Sequence, residues 1–271
     1  MSARFQYHAQ AVGVSGRIVA PFDQIIPVQA SAALPESGGF GTARTDNFSF
    51  QGVVSFAAAY SVVAGSYSPK DQSYDALASV TIEGLNVLSV VTADRIVARM
   101  SSMHPEKGPH RIDPTGTYFE NLRIAGQLVE VDLATDTFSR FANADQVRQA
   151  YRDNENGFRD EFHRLSLLGQ EERIPERHRA HFPFCGRKPD AEIPESHGII
   201  ACSLARGIRG LPARFGPCGH VVAIPGFGTI RLGEFKITSN SAQISMLEIS
   251  LGSTPVGSCS VAAVRGNGSP W

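Results

Sequence analysis

Between positions 48 and 64 the chain places an apolar residue at nearly every second position. Phe48, Phe50, Val54, Phe56, Ala58, Tyr60 and Val62 share one parity, while Ser49, Gln51, Ser55 and Ser61 fall on the other. Period two is the geometry of a strand with one buried face; a helix would scatter these aromatics around its circumference. A turn-like run at 66–73 follows, and the alternation resumes at Tyr74, Ala76, Ala78, Val80 and Ile82. This predicts an antiparallel hairpin. Comparable strands are expected at 5–15, 88–101, 118–132, 197–205, 220–224, 228–237, 243–251 and 258–264, with Gly or Pro in most of the gaps. So many strands with so little helix between them predict a mainly β protein whose antiparallel sheets form a sandwich or a barrel.

One segment breaks the pattern. From Asn143 to Leu168, the residues Val147, Ala150, Tyr151, Phe158, Phe162, Leu165 and Leu168 recur at helical spacing among charged residues. Asn143 is the expected N-cap and Gly157 the expected break between two helices. The stretch 170–194 is charged and rich in Pro, and reads as a loop. The chain therefore divides into an N-terminal β region (1–142), a charged helical and Pro-rich insertion (143–194) and a C-terminal β region (195–271) that can complete the same sheet system.

Three short segments occur in the order of a known family. Val91-Thr-Ala-Asp94 with the following Arg95-Ile-Val-Ala98, then Gly116-Thr-Tyr-Phe-Glu-Asn-Leu-Arg-Ile-Ala-Gly126, then Pro225-Gly-Phe-Gly-Thr-Ile-Arg-Leu-Gly-Glu234 resemble strands of bacterial choice-of-anchor proteins. Gly233 stands where that pattern has Asn, and the insertion interrupts it. The resemblance implies a β architecture with a structural or adhesive role and brings no catalytic residues with it.

Charge excludes some function classes. The formal net charge of -1 gives no overall attraction for a phosphate backbone, so nucleic acid is not an expected partner. Neither a secretory signal nor an apolar run of membrane-spanning length is read, which makes the cytoplasm the default compartment. All four cysteines, Cys185, Cys202, Cys218 and Cys259, fall in the last third of the chain.

Chemistry could come from His178, His181 and Cys185 together with Cys218 and His220. Imidazole and thiolate at these spacings can close a tetrahedral zinc site when a loop folds back, although no strict zinc signature is matched. The bland reading is solvated loop histidines and buried cysteines. Cys218 and His220 also form a candidate nucleophile and base, since residues i and i+2 of a strand share a face. Acid and base candidates are Glu83, Asp94, Glu234 and Glu248, with Asp94 on the inward parity of its strand. Arg187, Lys188, Arg206, Arg209 and Arg214 form a basic group where an anion could dock. The glycine-rich 36–41 is a turn, since no Lys-Ser/Thr follows it.

No catalytic motif is complete. The expectation is a non-catalytic structural or binding protein, a β scaffold that self-associates into a homo-oligomer and takes a protein or carbohydrate ligand, with the insertion as recognition element. No cofactor is expected except zinc on the alternative reading of a metal- or cysteine-dependent enzyme. A small-molecule or carbohydrate-binding β barrel, with the 48–62 face lining a cavity, is the third reading.

Overall fold

The computed structural model describes residues 5–108, 110–141, 143–182, 186–188, 192–194, 198–215 and 217–270. Along the chain come β1 (Phe5–Ala20), β2 (Gln24–Gln29), β3 (Ala32–Ala33), β4 (Gly39–Phe50), β5 (Val54–Ser68), β6 (Ser73–Val87) and β7 (Val91–Pro105). Shorter pieces follow: β8 (Arg111–Asp113), β9 (Tyr118–Glu120), β10 (Arg123–Ile124), β11 (Gln127–Leu128) and β12 (Glu130–Leu133). The helices are α1 (Thr135–Phe138), α2 (Ala144–Asp153) and α3 (Phe158–Ser166). The chain ends with β13 (Ile200–Ser203), β14 (Ala205–Arg209), β15 (Val221–Ile224), β16 (Gly228–Ile237), β17 (Ala242–Gly252) and β18 (Val256–Pro270).

The strands form two open antiparallel sheets. One is ordered β13-β16-β17-β18-β1-β2, with β15 also on β16 and β3 also on β1; the other is ordered β11-β10-β7-β6-β5-β4, with β8 and β9 on β7. Their faces pack through β1, β17 and β18 against β5, β6 and β7. The architecture is a sandwich, and its interior is filled by side chains such as Val14, Val63, Val80, Ile96, Ile244 and Val264, each at most 1% exposed. The inward part of the 48–62 face, Val54 and Phe56, therefore lines a packed core and not a cavity. The first sheet joins β1 to β3 with strands of the 195–271 region, and β12 pairs with β14 across the insertion.

Two details of the expected hairpin change. The alternation from 48 to 64 belongs to two strands, because Gln51 (φ 49) and Gly52 (φ 69) make a tight turn closed by Val53 N–H donating to Phe50 O at 2.8 Å. Positive φ at both central positions is the turn that matches strand twist. The inward face also reverses within β5: Val54 and Phe56 are buried, and beyond Ala57 the buried residues are Ala59, Ser61 and Val63. Ser61, expected to face solvent, is 0% exposed, and its hydroxyl donates to Ala30 O at 2.5 Å.

The reversal is collective. In register with Ala57 lie Gly84 on β6 and Asn47 on β4, and Gly84 faces Asp94 on β7. Gly84 and Asn47 have φ of 65 and 52. Pairing is unshifted on either side, with Ser55 opposite Asn86 and Ala58 opposite Glu83. The first sheet carries the same device along Gly233, Met246, Ala262 and Gly13, with positive φ at Gly233 (62) and Ala262 (53). One left-handed residue in every other strand rotates the pleat, so side chains beyond the row exchange faces. Gly and Asn adopt this conformation at little cost, whereas Ala262 bears about 1–2 kcal/mol of strain. Asp94 lies on the row and is exposed, with Asn121 Nδ2 donating to it at 2.7 Å. Its expected inward orientation is thereby corrected.

The expected strand at 118–132 is cut into β9 to β12 by positive φ at Asn121, Ala125 and Gly126. The insertion begins as read: Asn143 caps α2 by accepting from Gln146 N–H at 3.0 Å, and Gly157 stands between the helices. Its apolar residues are continuous with the sandwich core through Phe138, Val147, Tyr151, Phe158 and Phe162. Among the described residues no helix is long and apolar enough to cross a membrane.

The two rows meet at Gly13, where an added Cβ would sit 2.9 Å from Gln29 O and 3.3 Å from the Cβ atoms of Ala30 and Ala59. Gly13→Val should lower unfolding free energy by about 1–3 kcal/mol through overpacking. Gly207→Ala, whose Cβ meets nothing within 4 Å, should stay within about 0.5 kcal/mol. Equal denaturant midpoints for the two variants would show that close approach at this crossing is not required.

Candidate functional site

The short helical turn Glu176–His181 carries His178 and His181, whose ring centroids lie 6.2 Å apart. It lies close to the loop holding Cys218 and His220, since Phe182 stacks edge-on against the His220 ring at 5.2 Å. Leu167, Ile174, Phe182, Cys218 and Val221 form a small apolar cluster of their own. The local fold is fixed by reciprocal backbone bonds between Cys218 and Val221 and by Leu232 N–H donating to His220 O at 3.0 Å. Cys185 lies outside the described residues.

The structure thus brings four of the five candidates into one region and buries most of what they offer. His178, Cys218 and His220 are 1%, 5% and 4% exposed. The Cys218 thiol donates to Arg173 O at 3.3 Å. Cys202 and Cys259 are buried thiols; burial, with the Glu248 charge adding to it, pushes Cys259 up to about 12. Thiols so placed have little thiolate character. Among the described residues no group of three or more His, Cys, Asp or Glu is arranged to hold a metal ion.

Arg231, Glu234 and Glu248 lie beside these histidines on the outward face of β16 and β17. Arg231 Nη1 pairs with Glu234 at 2.9 Å, Lys236 approaches the same carboxylate at 3.8 Å, and Arg231 stands opposite Glu248 in the ladder. Ser260 donates to Glu248 at 2.7 Å. Burial raises the Glu248 carboxyl, and the Glu234 charge adds to this against the Ser260 hydrogen bond. Burial first, then Arg231, then His181, hold His220 down at about 3; burial and Arg231 lower His181 as well. The cluster is therefore Arg231 and Lys236 facing two carboxyls, with the His181 and His220 imidazoles kept neutral chiefly by desolvation.

Glu234 and Glu248 come together as sequence candidates, but Arg231 was not singled out. Its place is set by cross-strand pairing, and only the outward parity of β16 hints at it. Glu83 and Asp94 belong to the other sheet. There Glu83 joins a surface chain in which Arg95 Nη2 reaches it at 3.1 Å, Arg95 Nη1 reaches Glu120 at 3.2 Å, and Tyr60 donates to Glu83 at 3.3 Å. The basic group does not converge either. Arg206 is held by Glu161 at 2.6 Å and Asp136 at 3.2 Å, Arg209 by Glu130 at 3.3 Å, and Arg214 lies over the Phe215 ring.

A different kind of surface lies at the corner made by the β1–β2 hairpin and the start of β18. Val19, Phe22, Ile25, Val28 and Val256 are 57%, 63%, 70%, 55% and 37% exposed. Arg17, opposite Ile25, makes a two-bond pair with Asp23 at 2.7 and 2.6 Å beside them.

An unfolded-chain histidine titrates near 6.5 and folded His220 at about 3. Between these values the unfolded state holds one proton more, so stability falls as pH drops through the window. His220→Gln should remove about 1.4 kcal/mol per pH unit from the slope of unfolding free energy between roughly pH 6 and pH 4. Parallel slopes for wild type and variant would show that His220 does not enter the fold as a neutral imidazole.

Comparison with curated proteins and with solved structures gave no match. Residues 5–238 match a family described as a domain of unknown function, DUF8256. The match ends just past β16, so β17 and β18, which connect β16 to β1 within the first sheet, lie beyond it. The matched span covers most of the chain, and the protein belongs to the DUF8256 family.

Proposed function

We propose that the protein is a non-catalytic β-sandwich scaffold that acts by binding, and that copies of it associate through the β1–β2 corner. The observation that supports this is the grouping of Val19, Phe22, Ile25, Val28 and Val256 in solvent. Contiguous exposed apolar surface is costly in water, and covering it recovers roughly 25 cal/mol per Å². The Arg17–Asp23 pair alongside supplies the polar rim that interfaces carry.

Association here is by side-chain packing and not by extension of the sheet. Pro27 has no N–H to offer along the β2 edge, and its carbonyl already accepts from Gln29 Nε2 at 2.8 Å. A two-fold axis would set the same patch of both copies together. The polar cluster over β16 and β17 fits a structural part in such a scaffold, since Arg231 pairs with Glu234 and Glu248 accepts from Ser260.

Sedimentation of the full chain at about 50 μM, a concentration that populates complexes of micromolar affinity, tests the proposal. Wild type should sediment as a multiple of 29.1 kDa, and the double variant Phe22→Asp, Ile25→Asp as a folded monomer. Wild type running as a 29.1 kDa monomer, or a double variant of unchanged mass, would reject association through this corner.

A further inference from the structure

We propose that a cleft across β1, β3, β18 and the β16–β17 turn binds a small hydroxylated carboxylate, of the class of the acidic sugars. The site is independent of the apolar corner. Its volume is about 490 Å³, and His8, Gln10, Leu34, Asn240, Ser241 and Arg265 are among its lining residues. That is within the range of roughly 300–1,000 Å³ typical of small-molecule sites.

Charge selects the ligand. Among the described residues the lining includes one guanidinium and no carboxylate. Several guanidiniums, such as Arg17, Arg95 and Arg206, are already held by an acidic partner, and Arg265 has none among the described residues. A guanidinium offers two parallel donors and one charge, which one carboxylate matches in both geometry and charge. A dianionic phosphate would leave one charge unmet.

The neighbours suit hydroxyl groups. Gln10 stands directly opposite Arg265 in the β1–β18 ladder, so an amide and a guanidinium share the floor of the cleft. Asn240 and Ser241 are held on its rim by a turn that their own backbone stiffens: both N–H groups donate to Thr238 Oγ1, at 3.3 and 2.9 Å, and Thr238 N–H donates to Ser241 O at 2.8 Å. The insertion braces the same turn, since Ala144 N–H donates to Thr238 O at 3.0 Å. Ala33, exposed in the lining, supplies an apolar surface for the C–H face of a ring. Polar groups fixed before binding lose little freedom when a ligand arrives.

Titration calorimetry of the full chain with sodium glucuronate, glucose 6-phosphate and glucose tests the assignment. Glucuronate should bind one per chain with a Kd of about 1 mM or tighter, at least tenfold better than glucose. Arg265→Gln, at an exposed position, should retain the wild-type melting temperature and weaken glucuronate at least tenfold; Asn240→Ala should weaken it by a smaller factor. Tighter binding of glucose 6-phosphate than of glucuronate would overturn the carboxylate assignment. No glucuronate binding by wild type at about 10 mM, or binding unchanged in a folded Arg265→Gln protein, would overturn the site.

Discussion

The left-handed residues along Asn47–Ala57–Gly84–Asp94 in one sheet and Gly233–Met246–Ala262–Gly13 in the other are the constraint on which the rest of the structure depends. A strand that alternates without interruption has one inward set along its whole length. Here every long strand exchanges its inward set partway, and the neighbours do so at the same level, so the hydrogen-bond ladder continues while the faces trade places. Both sheets must reverse at matching heights to remain packed against each other. Gly13 and Ala59 meet at that height, where only a residue without a side chain leaves room. The strain at Ala262, about 1–2 kcal/mol, is offset by the apolar contacts that the reversal permits at both ends of the sandwich.

The reversal also decides what the outer face of the first sheet must carry. Beyond the row, Arg231 and Glu248 face outward on the side covered by the Pro-rich segment. Covering them takes charge out of water, which is tolerable because Glu234 meets Arg231 and Ser260 donates to Glu248. Burial and Arg231 keep the neighbouring His220 and His181 imidazoles neutral. The insertion is held by charge as well as by apolar packing: Arg206 on β14 reaches Glu161 on α3 and Asp136 on α1, tying both helices to the short two-stranded sheet. Its apolar side runs into the sandwich core, so its charged side faces outward.

How much of this was legible in the sequence follows from which interactions are local. The long strands could be read because period two survives in Phe48 to Val62, in Tyr74 to Ile82 and in β16, where the expected bounds 228–237 are those observed. The helical insertion could be read from its spacing and from Asn143. The face reversal could not. Ala57, Asp94, Met246 and Ala262 are ordinary residues, and their unusual role comes from strands that pair with them from far away in the chain. Even the turn at Gln51–Gly52 was hidden, because a three-residue interruption preserved the parity of Phe50 and Val54. His178, His181, Cys218 and His220 lie in one region, and what surrounds them is set by cross-strand register. Local sequence shows the histidines and cysteines, and the fold adds an arginine and two glutamates beside them.

Strand β1 shows what the reversal contributes to function. Before Gly13 its even residues point outward and place His8 and Gln10 in the polar cleft; after it the odd residues do, and place Arg17 and Val19 at the apolar corner. Had the parity run unbroken, Ile18 would face solvent and Val19 would enter the core. The corner would then lose its outward cross-strand partnership of Arg17 with Ile25. A single exchange of faces lets one strand serve two chemically opposite surfaces without interrupting its ladder to β18. The polar cleft and the apolar corner thus share one rigid element, with Gly13 as the point at which the two surfaces are separated.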